Sequence, residues 1–166
     1  MRVVPESSTV IIAPHGGCIE IRTSGIARAI AGKDFNLYLF EGTKSSSNKT
    51  LHVTSHRFDE RRCLSVVTKS QTVVAIHGCK GRKPVVYLGG LDKMTILALA
   101  AGLRAARFMV KTEFHKFPAT CPKNICNRGA IGRGVQIELS RGLRLNGNID
   151  ALALTIRGVL LKENGA

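Results

Sequence analysis

Val10-Ile11-Ile12-Ala13-Pro14-His15-Gly16-Gly17-Cys18-Ile19-Glu20 is the stretch whose reading decides the fold. Val10 to Ala13 is a short continuous apolar run, the pattern of a strand buried on both faces. Pro14 ends that run, and the two glycines after His15 give the backbone the freedom of a tight turn. Such a strand, delivering polar side chains into a glycine-rich loop, is the working unit of an open α/β sheet, whose sites collect at the carboxyl edge. Two later segments repeat the design: Val73-Val74-Ala75-Ile76-His77-Gly78 and Gly134-Val135-Gln136-Ile137-Glu138-Leu139.

The rest of the chain alternates in the same way. Residues 24–32 read as a short helix with Ser24 as N-cap and Gly32 as stop. Residues 36–40, 51–54, 72–76 and 85–88 read as strands, with a polar loop over 44–49. The clearest helix runs from residue 92 to about 107, followed by a return strand at 108–110. Residues 112–133 are irregular, and a closing amphipathic helix spans 150–162. No internal repeat and no linker divides the chain. The expectation is a single α/β domain over 1–166, an open mixed β-sheet flanked by helices.

Composition limits what the domain can do. The 166 residues are 44% hydrophobic, enough for a core and against disorder. A formal charge of +14, spread along the chain, favours an acidic polymer, nucleic acid or an anionic surface as partner. No apolar run reaches the roughly 18–20 residues of a membrane span, and Met1-Arg2 leads into a polar stretch with no signal-peptide core. Cytoplasmic synthesis without a signal peptide follows, with release by lysis compatible with it. Five cysteines, an odd number, argue for reduced thiols, and Cys121 and Cys126 alone lack the second pair of a structural zinc site.

Two histidines and a carboxylate are the ligand set of catalytic zinc in carboxypeptidase A, with one position left for water. His15, Glu20 and His77 supply that set here. Each histidine follows a buried strand and precedes glycine, which is also where a hydrogen-bonded structural histidine would stand. Glu138 shares a strand face with Gln136 and Ser140, opposite Val135, Ile137 and Leu139. It reads either as an exposed strand glutamate or as a general base beside a metal.

The same segments resemble the phage-type poly-γ-glutamate hydrolase family and its bacterial prophage relatives. The resemblance lies in 13–20, Leu51-His52-Val53-Thr54-Ser55, Phe58-Asp59-Glu60, 75–78, Gly89-Gly90-Leu91-Asp92, 121–129 and 134–144. It implies a fold similar to zinc carboxypeptidases, one zinc ion (Zn2+), and hydrolysis of γ-glutamyl amide bonds in poly-γ-glutamate. It also implies His15, Glu20 and His77 as ligands and Glu138 as general base. Arg128, Arg141 and Arg144, in the late blocks, are the candidates for binding the substrate carboxylates, since guanidinium takes carboxylate bidentately. Arg22-Thr23-Ser24-Gly25 departs from the family pattern by a basic Arg22 and by Gly25 in place of a glutamate.

Other polar residues carry less. His52 reads as a strand histidine with a structural partner or as a group turned to the site. Asp59 and Glu60 could orient a ligand histidine or cap a turn, and His115 reads as solvent-facing. The expected partner is poly-γ-glutamate or another acidic polymer, not a membrane and not nucleic acid, with the protein a monomer. Two rival readings stay open: a basic nucleic-acid-binding protein without catalysis, and a zinc deacylase acting on a small amidated acid.

Overall fold

The computed structural model describes residues 1–164. Six strands, Thr9–Gly17 (β1), Asn36–Gly42 (β2), Thr72–Cys79 (β3), Val86–Gly90 (β4), Val110–Lys111 (β5) and Val135–Ser140 (β6), form one sheet. Their order is β2-β1-β3-β6-β4-β5. Every neighbouring pair is parallel except β4 against β6. The fold is a single-domain α/β architecture built on a mixed sheet.

Period-two alternation sorts the strand residues onto two cores. Ile11, Ala13, Val74, Ile76, Ile137 and Leu139 face three helices, Thr23–Ala31 (α1), Lys93–Ala105 (α3) and Ile149–Asn164 (α5). Val10, Ile12, Val73 and Ala75 face the opposite way, against Phe58, Ile125 and the helix Arg61–Val67 (α2). Both faces of the central strands are therefore dry, which is why they read as continuous apolar runs. A short helix, Arg141–Asn146 (α4), follows β6. Among the described residues no helix is long and apolar enough to cross a membrane.

Several elements differ from expectation. Residues 51–54 are not a strand: Asn48–Leu51 make one 3-10 turn, and Val53, 40% exposed, has no core face to fill. Helix α1 starts one residue early, at Thr23. Arg22 takes the N-cap position at φ 74°, and Ser24 instead accepts the Gly17 N–H at 3.0 Å. The return strand shrinks to Val110–Lys111, because Phe108 closes the turn after α3 by donating its N–H to the Leu103 carbonyl. Strand β1 runs on past Pro14, whose missing N–H falls where the β1–β2 register breaks.

Helix α3 does begin after Asp92. The Asp92 carboxylate, 6% exposed, accepts from the Thr95 N–H at 3.3 Å and the Thr95 hydroxyl at 2.9 Å. Asp92→Ala is expected to cost about 1–2 kcal/mol, the upper range for a lost N-cap. The urea midpoint would show this as a shift at unchanged slope. An unchanged midpoint would mean that the cap does not hold the helix.

Candidate metal centre and its grooves

Chain order reverses at β1 and β3. Helix α1 leads from β1 to β2 on one side, and the chain returns through α2 to β3 on the other. Ligands of open α/β sheets sit at such switch points, beyond the carboxyl ends of the strands. His15 and His77 stand there, each 2% exposed.

Parity alone would separate them. Ile11 and Ala13 face the α1–α3–α5 core, so an unbroken strand would send His15 the same way. The β1–β2 register shifts between Ala13 and Gly16. This irregularity turns His15 to the other face, where its ring meets Phe58 edge-on at 6.4 Å between centroids. Gly16 now abuts α1, where a Cβ would collide with Ser24 Oγ, and Gly17 holds φ at 62°. The turn closes when Glu20 donates its N–H to the His15 carbonyl at 2.9 Å. That fold-back brings the Glu20 carboxylate beside both rings.

Hydrogen bonds on the far side of each ring decide which nitrogen faces inward. His15 Nε2 lies 2.6 Å from the Val53 carbonyl oxygen, which can only accept, so Nε2 carries the proton and Nδ1 keeps its lone pair. His77 Nε2 lies 3.5 Å from Ser55 Oγ. The two Nδ1 atoms approach to 3.1 Å. Glu20 Oε1 is 3.3 Å from Nδ1 of His15, and Oε2 is 3.7 Å from Nδ1 of His77. With the His77 proton on Nε2 toward Ser55, both Nδ1 lone pairs and the carboxylate converge, an arrangement that a positive charge among them would stabilise. Atoms about 2.0–2.1 Å from a shared zinc stand roughly 3.3 Å apart in a tetrahedron. The donor set fits a small divalent cation.

The electrostatics agree in direction. Burial pushes Glu20 up, but its close contacts with the His15 and His77 rings outweigh it and hold the carboxyl well below the usual range. Burial pulls His77 down, against the raising effect of Glu20, so the ring stays neutral and able to ligate. Glu20 Oε2 also accepts the Gly78 N–H at 2.8 Å, which fixes the carboxylate from β3.

His52 joins this group. Its ring stacks on His15 with centroids 3.9 Å apart at 21°, and its Nε2 lies 3.4 Å from Glu20 Oε1. Donor atoms of His15, Glu20 and His52 all fall within 4.8 Å of one another. Two parallel stacked rings, however, direct their in-plane lone pairs side by side rather than at one point. His52 is also 41% exposed, whereas the His77 ring is sealed.

Glu138 lies in register with His77 across β3 and β6 and is 8% exposed. Gln136 donates to its Oε1 at 3.2 Å, and Asn124 in turn donates to Gln136 at 2.9 Å. The alternation of β6 reveals the shared strand face of Gln136 and Glu138 but not Asn124, which arrives from the 112–133 segment. Burial, then the negative charge of Glu20, push Glu138 up to about 8, with Arg144 pulling the other way.

The three arginines named from sequence sit outside the space around these groups. Arg144, 6% exposed, packs behind Gly78 and donates to the carbonyls of Leu139, Ile21 and Cys79. Arg128 donates to the Phe58 carbonyl, and Arg141 is exposed at the start of α4. Arg22 donates to the carbonyls of Arg144 and Leu145, so this departure from the family pattern braces α4. Glu60 caps α2 by accepting the Cys63 N–H. His115 is not free in solvent: its Nδ1 accepts the Phe117 N–H, so its Nε2 donates to the Leu88 carbonyl at 3.1 Å. All five cysteines are free thiols.

Two open grooves flank the centre. One, of about 720 Å³, runs over Gly78, Cys79, Tyr87 and Lys111. The other, of about 440 Å³, runs past Ser55, His77, Thr120 and Asn124. They share Glu20, His52, Lys116, Phe117 and Glu138, so the candidate centre sits where they join.

Comparison with known proteins matches this geometry to a family. A family model described as poly-gamma-glutamate hydrolase matches residues 1–154. YndL of Bacillus subtilis (strain 168), a UPF0714 protein, is 36% identical over 140 residues, which cover 83% of this chain and 55% of YndL. The chain thus spans about half the length of that relative. A solved bacteriophage poly-gamma-glutamate hydrolase superposes with a TM-score of 0.90 at 29% identity, covering 96% of this chain and 86% of the other. A solved structure named YNDL-apo (Zinc-free) superposes with a TM-score of 0.88 at 30% identity, covering 95% and 86%.

Proposed function

The chain belongs to the poly-γ-glutamate hydrolase family, and on that premise we propose that it is a zinc-dependent hydrolase of γ-glutamyl amide bonds in poly-γ-glutamate. The observation that carries the reading is the convergence of the His15 and His77 Nδ1 atoms on one carboxylate, with Glu138 alongside. The name of one structural neighbour marks that protein as a zinc-free form, which supports zinc as the ion.

In this reading His15, Glu20 and His77 hold one ion. When bound, zinc supplies Lewis acidity to a water molecule and to the amide carbonyl. Val53 and Ser55 fix the two rings from behind, so the ligand atoms are oriented in advance. Glu138 takes a proton from the attacking water and returns it to the leaving nitrogen, work that suits a carboxyl poised near neutral pH. Glu138, with the charge of Glu20 offset by a bound cation, would lie lower and nearer its base form. Gln136 and Asn124 keep the Glu138 carboxylate aimed. Arg144 places positive charge behind Glu20 and Glu138 and acts through them. One domain holds the whole apparatus.

Removing the metal tests this. Purified protein is expected to shorten poly-γ-glutamate, to stop doing so after dialysis against a chelator, and to recover when zinc is returned. Size-exclusion profiles of the polymer read each step. Shortening that persists in metal-free protein would refute the reading, as would intact polymer with zinc present.

A further inference from the structure

One row of side chains crosses four strands. His77 on β3 pairs with Glu138 on β6, Glu138 with Tyr87 on β4, and Tyr87 with Lys111 on β5. Residues opposite one another in a ladder project from the same face, and adjacent strands lie about 4.8 Å apart. The row is thus a ruler laid outward from the candidate centre. Lys111 stands two strand spacings, about 10 Å, from Glu138.

The larger groove follows that row. Glu20 and Glu138 line it at the centre, and Lys80, Lys111 and Lys116 line it too, Lys116 where the two grooves meet. Among the described residues none of the three pairs with a carboxylate. Between them lie aromatic rings that are fixed: Tyr87 and Phe117 pack at 5.4 Å, and Tyr87 and His115 at 5.5 Å. A trough with an apolar floor and ammonium walls suits a chain with methylene groups along its main chain and a carboxylate on every residue.

We infer that Lys80, Lys111 and Lys116 form a carboxylate-binding subsite on one side of the cleaved bond, occupied by the α-carboxylates of successive γ-linked glutamates. The inference rests on the substrate proposed above and deepens it. A γ-linked residue has two more chain bonds than an α-linked one, which stretches its repeat from about 3.5 Å to about 6 Å. Two strand spacings therefore match one to two residues of substrate beyond the cut. Lysine suits such a wall, because a point charge on a flexible stem follows a carboxylate whose position shifts from residue to residue, where the planar guanidinium demands fixed geometry. Ammonium groups at an open groove are screened by salt, so the contribution should fade as ionic strength rises.

Two triple variants of the full chain, each removing three charges, provide the test. One carries Lys80→Gln, Lys111→Gln and Lys116→Gln. The control carries Lys33→Gln, Lys49→Gln and Lys69→Gln, positions that line neither groove. At low salt the groove variant is expected to raise KM for poly-γ-glutamate about tenfold or more with kcat within threefold. It should also flatten the salt dependence, while the control stays within about twofold of wild type. Equal effects of the two triples would mean that only the overall positive field matters, and would overturn the inference. So would an unchanged KM in the groove variant. Equilibrium binding of poly-γ-glutamate to the same proteins separates this from the activity itself. If the wild type binds but does not cleave, the hydrolase reading fails, while selective loss of binding in the groove variant upholds the subsite. If wild type and groove variant bind alike, the subsite is refuted whatever the activity.

Discussion

Glu138→Gln is expected to lower poly-γ-glutamate cleavage by about 10²–10⁴-fold while zinc content stays near that of wild type. The substitution is nearly isosteric in a site that is 8% exposed, so packing is preserved. A glutamine at this position can still accept the Gln136 amide hydrogen through its own Oε1, as Glu138 does now at 3.2 Å. What it cannot do is accept and return a proton. Metal analysis beside initial rates separates the two consequences, and activity within tenfold of wild type would remove Glu138 from the base role. Metal-free protein gives a second readout. The folded-state pKa of Glu138 is raised to about 8, above the ordinary carboxyl value of 4.5. Its contribution to stability is thus full below about pH 4.5 and is lost as pH rises through about 8. Chelated wild type should therefore lose stability over that window relative to Glu138→Gln, with the two converging in acid.

How far the site was legible from sequence follows from where each residue gets its position. His15, His77 and Glu138 lie in the carboxyl-terminal halves of buried strands and Glu20 follows one, and strand periodicity is local information. Their meeting is not. It needs the register break between Ala13 and Gly16, which moves His15 to the face of His77 and which no two-residue alternation announces. For His52 the sequence leaves a structural role and a place at the site both open, because Leu51-His52-Val53-Thr54 carries strand-like composition, whereas the chain there is a 3-10 turn and an irregular segment. The Val53 carbonyl that orients His15 is a main-chain atom, and any residue type offers one. The arginines are the opposite case. Arg128 and Arg144 have the right chemistry for carboxylates, yet Nη1 of Arg128 and all three guanidinium nitrogens of Arg144 donate to backbone carbonyls of loops and strand ends. The lysines of the groove gave no signal in sequence, being three among many. Only the pairing of β5 with β4 sets Lys111 in line with Glu138.

His77→Ala is expected to strip the ion, taking zinc content from near one per chain to trace levels. Activity should fall with it. Three ligand groups converge here, and the loss of one should exceed the roughly 10–100-fold in affinity that follows when a partner behind a ligand is removed. The competing assignment is specific: His52 could complete the set with His15 and Glu20, since the donor atoms of that trio also lie within 4.8 Å. Ring orientation separates the two. His77 meets His15 at 61° with facing Nδ1 atoms, whereas His52 lies parallel to His15 at 21°. His52→Ala should accordingly retain zinc through dialysis while His77→Ala does not. The reverse pattern would transfer the third ligand to His52. Folding must be checked alongside, because a 2% exposed ring leaves a cavity, and truncation of a buried side chain of this size costs about 2–5 kcal/mol. His77→Gln, which refills much of that space with a poorer ligand, should recover stability without recovering zinc. A His77→Gln protein that binds zinc as tightly as wild type would show that the ion is held by other groups, and the convergence of the two Nδ1 atoms would then require a different explanation.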